Sequence, residues 1–196
     1  GISVAMNGTV ETVTRATTLP SGDLKLLYGS LTSLQTAIYT GSGTSWSSTA
    51  PLYWQQLASE QGKYPFYAVS PSDADMTAVP ADQSTAAAAK ASDLLMAFAE
   101  PSYKSTISLN FRHALSMVEV NLTNGGGMTD TELSGASLTI DGLQTQYIVA
   151  GTTATASGTA ANGLKPLKDD ANFQFIAPAQ QLAANGLTMN FTVTIN

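Results

Sequence analysis

One histidine and no cysteine are present in the 196 residues, and this limits the chemistry to consider first. His113 could act as a general base for Ser116, with an acid such as Asp93 to orient it. The motif that would announce such a nucleophile is missing. A nucleophile elbow reads Gly-x-Ser-x-Gly, whereas Gly43-Thr44-Ser45-Trp46 is followed by Ser47. The reading expected for His113 is a histidine facing a core, its nitrogens satisfied by backbone. A single imidazole with no thiolate cannot assemble a familiar zinc spacing. Asp73 and Asp75 resemble the start of a calcium loop. An EF-hand loop opening at Asp73 needs glycine at its sixth position and glutamate at its twelfth; Ala78 and Ser84 stand there. A solvated acidic loop is the expectation. Paired glycosidase carboxylates are defined by their separation in space, and no pair stands out. The residues therefore assign no catalytic group, no metal and no cofactor, and the chain is not expected to be an enzyme.

Binding chemistry has one candidate. Trp46, Tyr53, Trp54, Tyr64, Phe66 and Tyr67 cluster in one part of the chain. Alternating members are expected to fill a core. Trp46 lies in the polar, glycine-rich run GSGTSWSSTA, so it is the residue that could stack on a sugar ring. A carbohydrate-binding surface module built on this aromatic platform is the alternative functional reading. The Asn-x-Ser/Thr matches at Asn7, Asn121 and Asn190 are expected by chance in a chain so rich in threonine.

Composition narrows the partners. The formal net charge is −6, and eight Lys plus Arg are scattered along the chain. Nucleic acid requires a basic footprint, which is absent, and an anionic membrane surface is disfavoured for the same reason. Charged residues make up only 11% of the chain, while 43% are hydrophobic. That balance suits a polar, weakly charged surface over β-structure rather than disorder. No apolar run approaches the roughly 18 residues of a membrane span. An export signal is expected to have been removed ahead of Gly1.

The elements that must position these groups are organised around residues 106–124, TISLNFRHALSMVEVNLTN. Ile107, Leu109, Phe111, Leu115 and Met117 alternate with a period of two, and His113 shares their face. The phase then slips, and Val118, Val120 and Leu122 continue on even positions. A slip of one residue turns every later side chain to the opposite face. A bulge or a crossing between sheets is therefore expected within about two residues of Met117.

Short strands are predicted on both sides. They fall at Ile2 to Val10, Leu24 to Tyr28, Leu31 to Tyr39, Leu52 to Trp54, Tyr64 to Val69 and Leu94 to Phe98. Ala86 to Lys90 favours helix. Later strands are predicted at Ala136 to Ile140, Gln146 to Val149, Phe173 to Ile176 and Leu187 to Ile195, with a hairpin turn at Asp141-Gly142. Ala150 to Gly163 reads as a loop. Many short strands separated by turn signals point to an all-β chain built of sandwiches.

Several motifs together resemble the fimbrillin-like proteins, subunits of type V pili on Gram-negative anaerobes. They are the aromatic strand YPFYAVSP (Tyr64 to Pro71), the element SDLLMAFA, the strand LNFRHALSMVEVNL and the later segment FIAPAQQL (Phe175 to Leu182). The Phe111-x-His113 pair followed by Leu115 and Val118 is the most specific. The resemblance implies tandem transthyretin-like (Greek-key) β-sandwich domains, 1–103 and 104–196, with the completeness of the second at Asn196 left open. It also implies a processing site for an Arg-specific protease between Arg15 and Ala16. Cleavage there would free a displaceable first strand carrying Ile2, Val4 and Met6. The implied function is a structural subunit of a cell-surface pilus, assembled by β-strand exchange and supporting adhesion. The implied partners are other pilus subunits, with host or bacterial receptors or glycans beyond them. Export as a lipoprotein to the outer membrane follows from the same resemblance, and no cofactor is implied.

Overall fold

A computed structural model describes residues 4–6, 21–30, 33–56, 62–181 and 188–195. The strands are β1 (Val4–Met6), β2 (Ser21–Ser30), β3 (Ser33–Ser42), β4 (Ser45–Ser47), β5 (Phe66–Ser70), β6 (Leu95–Ala99), β7 (Ile107–Leu109) and β8 (Arg112–His113). They continue as β9 (Ser116–Asn121), β10 (Ser137–Asp141), β11 (Leu143–Ala150), β12 (Thr153–Ala161), β13 (Leu167–Asp169), β14 (Asn172–Ala177) and β15 (Asn190–Thr194). Two short helices, α1 (Ala86–Ala91) and α2 (Asp130–Gly135), and a 3₁₀ turn at Trp54–Gln56 complete the described elements. The chain is all-β, and among the described residues its strands pair antiparallel except for β1 with β7. It divides into two compact units, one of Gly1–Ala74 with Leu94–Ala114, the other of Asp75–Asp93 with Leu115–Asn196. The units are thus interleaved in sequence.

The first unit is built on a six-stranded sheet of order β4-β3-β2-β5-β6-β8, with β1 and β7 as a separate parallel pair. Period-two alternation decides its faces. Leu24 and Leu26 of β2, Ala37 and Tyr39 of β3, Phe66 and Ala68 of β5 and Ala97 of β6 all enter one core. Ile107, Leu109 and Phe111 join the same core. Trp54 caps it with edge-to-face contacts to Tyr64, Phe66 and Tyr103, at centroid distances of 5.7, 6.0 and 5.8 Å. Residues 52–54, expected as a strand, instead lead into the 3₁₀ turn. Aromatic density marked burial there, not extension.

In the second unit, β9 pairs with β14 and β14 with β13, while β10 pairs with β15 and β11 with β12. Leu138 and Ile140 of β10 share a core with Phe173, Phe175 and Ala177 of β14, and Val118, Val120 and Leu122 pack against it. The register sets Val118 opposite Phe175 and Val120 opposite Phe173, so the even-numbered set reaches a core as the slipped pattern requires. The slip is resolved at Ala114–Leu115, between β8 in one sheet and β9 in another. Of the odd set, Ile107, Leu109 and Phe111 enter the core of the first unit, whereas Leu115 and Met117 already belong to the second unit, against whose core the even set packs.

Two expectations fail in the second unit. Asp141-Gly142 does not close a hairpin, because β10 takes β15 as its partner and β11 takes β12. The presumed loop 150–163 is largely the strand β12, which buries little more than Ala154. A Thr/Ala/Gly strand with one buried position has too little hydrophobic contrast to be read by period.

Candidate functional site

His113 is half-buried in β8, where it pairs with Leu95 of β6. It is less buried than the sequence pattern suggests, because the strand that was to carry it past Leu115 is broken. Its neighbours in the pattern, Phe111 and Leu115, are each about 5% exposed or less. His113 belongs to the first unit, and Ser116 and Asp93 to the second. Among the described residues no group of three His, Cys, Asp or Glu side chains could hold a metal ion.

The acidic loop has a structural occupation. Asp75 Oδ1 accepts hydrogen bonds from the Thr77 N–H at 2.8 Å, the Thr77 hydroxyl at 2.6 Å and the Ala78 N–H at 3.3 Å. The Thr77 hydroxyl, followed by the backbone donors, holds the Asp75 carboxyl below the usual carboxylate range. This carboxylate folds its own loop, while Asp73 remains exposed.

Trp46 is held by the fold more firmly than its polar surroundings suggest. It sits in β4, opposite Gly41 of β3. Its indole N–H donates to the Gly43 carbonyl at 2.9 Å, and its ring packs against the core of the first unit. Tyr53, of the same aromatic cluster, is the more exposed ring at 45%. Phe98 is 41% exposed and stacks obliquely on its cross-strand neighbour Tyr67, with centroids 4.8 Å apart.

The processing and exchange residues have one described anchor. Arg15, Ala16 and Ile2 lie outside the described residues. Val4 and Met6 lie in β1, which runs parallel to β7 with Val4 opposite Ile107 and Met6 opposite Leu109. Ile107 is fully buried and Leu109 is 1% exposed. The three-residue ladder therefore lies against the part of β7 that enters the core. Among the described residues β7 is the sole sheet partner of β1.

Sequence reasoning missed a set of glutamine amides. Gln83 is fully buried. Its Nε2 donates to the Ile176 carbonyl at 2.9 Å, and its Oε1 accepts from the Ile176 N–H at 2.7 Å. One side chain thus acts as a strand partner for one residue of β14. Gln180 does the same for Gln144 of β11, with bonds of 2.9 and 3.0 Å. Only the resemblance of FIAPAQQL pointed toward Gln180, and nothing local marks Gln83.

Comparison with known proteins agrees with this architecture. A candidate cell adhesion protein from Bacteroides uniformis has the same fold with a TM-score of 0.68 at 19% identity, over 91% of this chain and 75% of that one. A second, from Bacteroides ovatus, superposes with a TM-score of 0.62 at 14% identity, over 100% of this chain and 82% of that one. A fimbrial protein from Bacteroides ovatus matches with a TM-score of 0.50 at 15% identity, over 99% of this chain but 45% of its own. A search of curated proteins finds no match. The fimbrillin-like family model matches residues 2–196. With that match running through both interleaved units, the chain belongs to the fimbrillin-like family.

Proposed function

We propose that the chain is a structural, non-enzymatic subunit of a cell-surface pilus that joins its neighbours by β-strand exchange and supports adhesion. Family membership and the fimbrial and adhesion proteins of like fold support the subunit role. The observation that carries the exchange mechanism is the β1–β7 ladder. Each of its backbone bonds contributes about 1 kcal/mol net, so the described part of the ladder, Val4–Met6, holds the strand only weakly. Loss of β1 would bare backbone groups of β7 beside Ile107 and Leu109, which are buried. An extended segment of a neighbouring subunit with apolar side chains at alternate positions would restore both the ladder and the burial. Cleavage between Arg15 and Ala16 would sever β1 from β2 and make the exchange possible. In this reading the two units are the tandem transthyretin-like domains, and export as a lipoprotein places them at the outer membrane.

The test compares intact, Arg-protease-cut and Arg15→Ala protein by size-exclusion chromatography, with and without a synthetic donor strand. The cut protein should bind the donor or polymerise, and the other two should remain monomeric. Cut protein that stays monomeric with donor supplied would end the exchange mechanism for this chain.

A further inference from the structure

Residues 75–84 form a strap that seals open edges of the second unit without being a regular strand. Its inward side pairs in two places. The Val79 N–H donates to the Thr145 carbonyl at 2.9 Å, and the Tyr147 N–H to the Thr77 carbonyl at 2.8 Å. These bonds bracket an antiparallel bridge between Ala78 and Gln146 of β11. Three residues on, the Lys165 N–H donates to the Ala81 carbonyl at 2.8 Å and the Gln83 N–H to the Lys165 carbonyl at 2.9 Å, around a parallel bridge of Asp82 with Lys165. The Gln83 side chain then saturates Ile176.

The outward side of the strap is poor in donors for a further strand. In a bracketed bridge the residue between the two bonds turns its own N–H and C=O away from the partner. The outward backbone positions fixed by these bridges are 78 and 82; Pro80 lies between them, and its carbonyl is taken by the Gln83 amide at 3.2 Å. The Ala78 N–H is taken by Asp75 Oδ1 at 3.3 Å, and the Ser84 N–H by Asp82 Oδ1 at 3.0 Å. Pro80 has no N–H to offer. Asp82 brings a carboxylate to the rim, where it is exposed. Side-chain capture of two donors, a proline at a third position and an exposed charge are each means by which an edge is kept from pairing.

We infer that the strap is an edge guard: it completes β11 and the 164–165 segment inwardly and denies the second unit's edge to strands of other chains. This rests on edge geometry alone and holds whatever the fate of β1. The partner it excludes is an extended segment of a second copy, or of any chain able to add a strand.

The experiment reopens the outward ladder. Pro80→Val restores an N–H and keeps the carbonyl that accepts from Gln83. Asp75→Ala/Pro80→Val also frees the Ala78 donor. Light scattering coupled to size-exclusion should show wild type at its monomer mass of 20.3 kDa, Pro80→Val with a concentration-dependent rise, and the double variant with a larger one. Amide exchange should slow at residue 80 in the associated species, which separates strand addition from unfolding. Variants that fold, stay monomeric at all concentrations and leave residue 80 exchanging freely overturn the guard. Failure of both variants to fold overturns it too, because the outward groups would then support the fold rather than its edge.

Discussion

Gln83→Ala removes both partners of Ile176 at a position where water cannot easily replace them. Gln83 is fully buried and Ile176 is 6% exposed. The wild-type amide makes bonds of 2.7 and 2.9 Å to Ile176 and one of 3.2 Å to the Pro80 carbonyl. A buried backbone group left unpaired costs about 1–3 kcal/mol, so the N–H and C=O of Ile176 together cost about 2–6 kcal/mol. The methylene lost from the interior adds about 1 kcal/mol. The sum, about 3–7 kcal/mol, corresponds to a fall in Tm of about 15 °C for a chain of this size. Urea unfolding followed by far-UV circular dichroism measures the loss, and amide exchange at Ile176 localises it. Gln83→Glu sharpens the test. Its carboxylate would face the Ile176 and Pro80 carbonyls, so the folded state would favour the protonated acid. The folded pKa then lies above the unfolded value of about 4.3. Stability is intact below that value and falls as pH rises through the raised folded pKa. A Gln83→Ala protein within about 0.5 kcal/mol of wild type, with the Ile176 amide still protected, refutes the reasoning.

Two further outcomes follow from the same contacts. The Tyr147 hydroxyl donates to the Asp75 carbonyl, and burial, with a smaller contribution from the Asp75 charge, pushes its pKa up to about 12; stability should be intact below pH 10 and lost as pH rises toward 12, with a shallower alkaline loss in Tyr147→Phe. A methyl group at Gly41 would meet the Ser45 carbonyl oxygen at 2.1 Å and Trp46 Cα at 2.9 Å, so Gly41→Ala should part β3 from β4, cost about 1–3 kcal/mol and shift Trp46 emission to the red.

What could be read in advance was what local pattern controls. The apolar runs of β2 and β5 were legible as strands, and Val118, Val120 and Leu122 as one face turned to a core; in β6 the alternating set Leu94, Met96 and Phe98 was not the first unit's core set, since Ala97 enters the core of the first unit and Phe98 is 41% exposed. The phase slip at Met117 was legible as a sign conflict: the odd and even sets cannot share one face. Where the conflict would be resolved could be bounded, but not the interleaving of Asp75–Asp93 with the second unit. A single cut after Tyr103 is the simplest partition of the sequence, and the strap has no period to argue otherwise. Its pairing is set by partners such as Thr145 and Lys165, and the Gln83–Ile176 bonds span 93 positions. Of the candidate site, Val4 and Met6 fell in a strand. The run 41–50, expected as a loop, places Trp46 in β4, since a glycine-rich stretch can be a tight hairpin when Gly41 permits close approach.

The two units treat their edges differently, and the difference follows from the kind of bond each uses. At β1 the contact is backbone to backbone over three residues in parallel register. Any extended segment offers the same groups, so the ladder itself cannot discriminate its own strand from another of suitable side-chain pattern. At the strap, discrimination is built in. Its inward bonds change from antiparallel to parallel partners across Pro80, a path that a straight strand cannot follow. Its last anchor is a side-chain amide rather than a backbone group, which an incoming strand does not carry in that position. A subunit that joins its neighbours through strand addition must allow pairing at one place and refuse it at others. A regular backbone ladder suits the first task, and an irregular strap with the Ala78 and Ser84 donors taken by side chains suits the second.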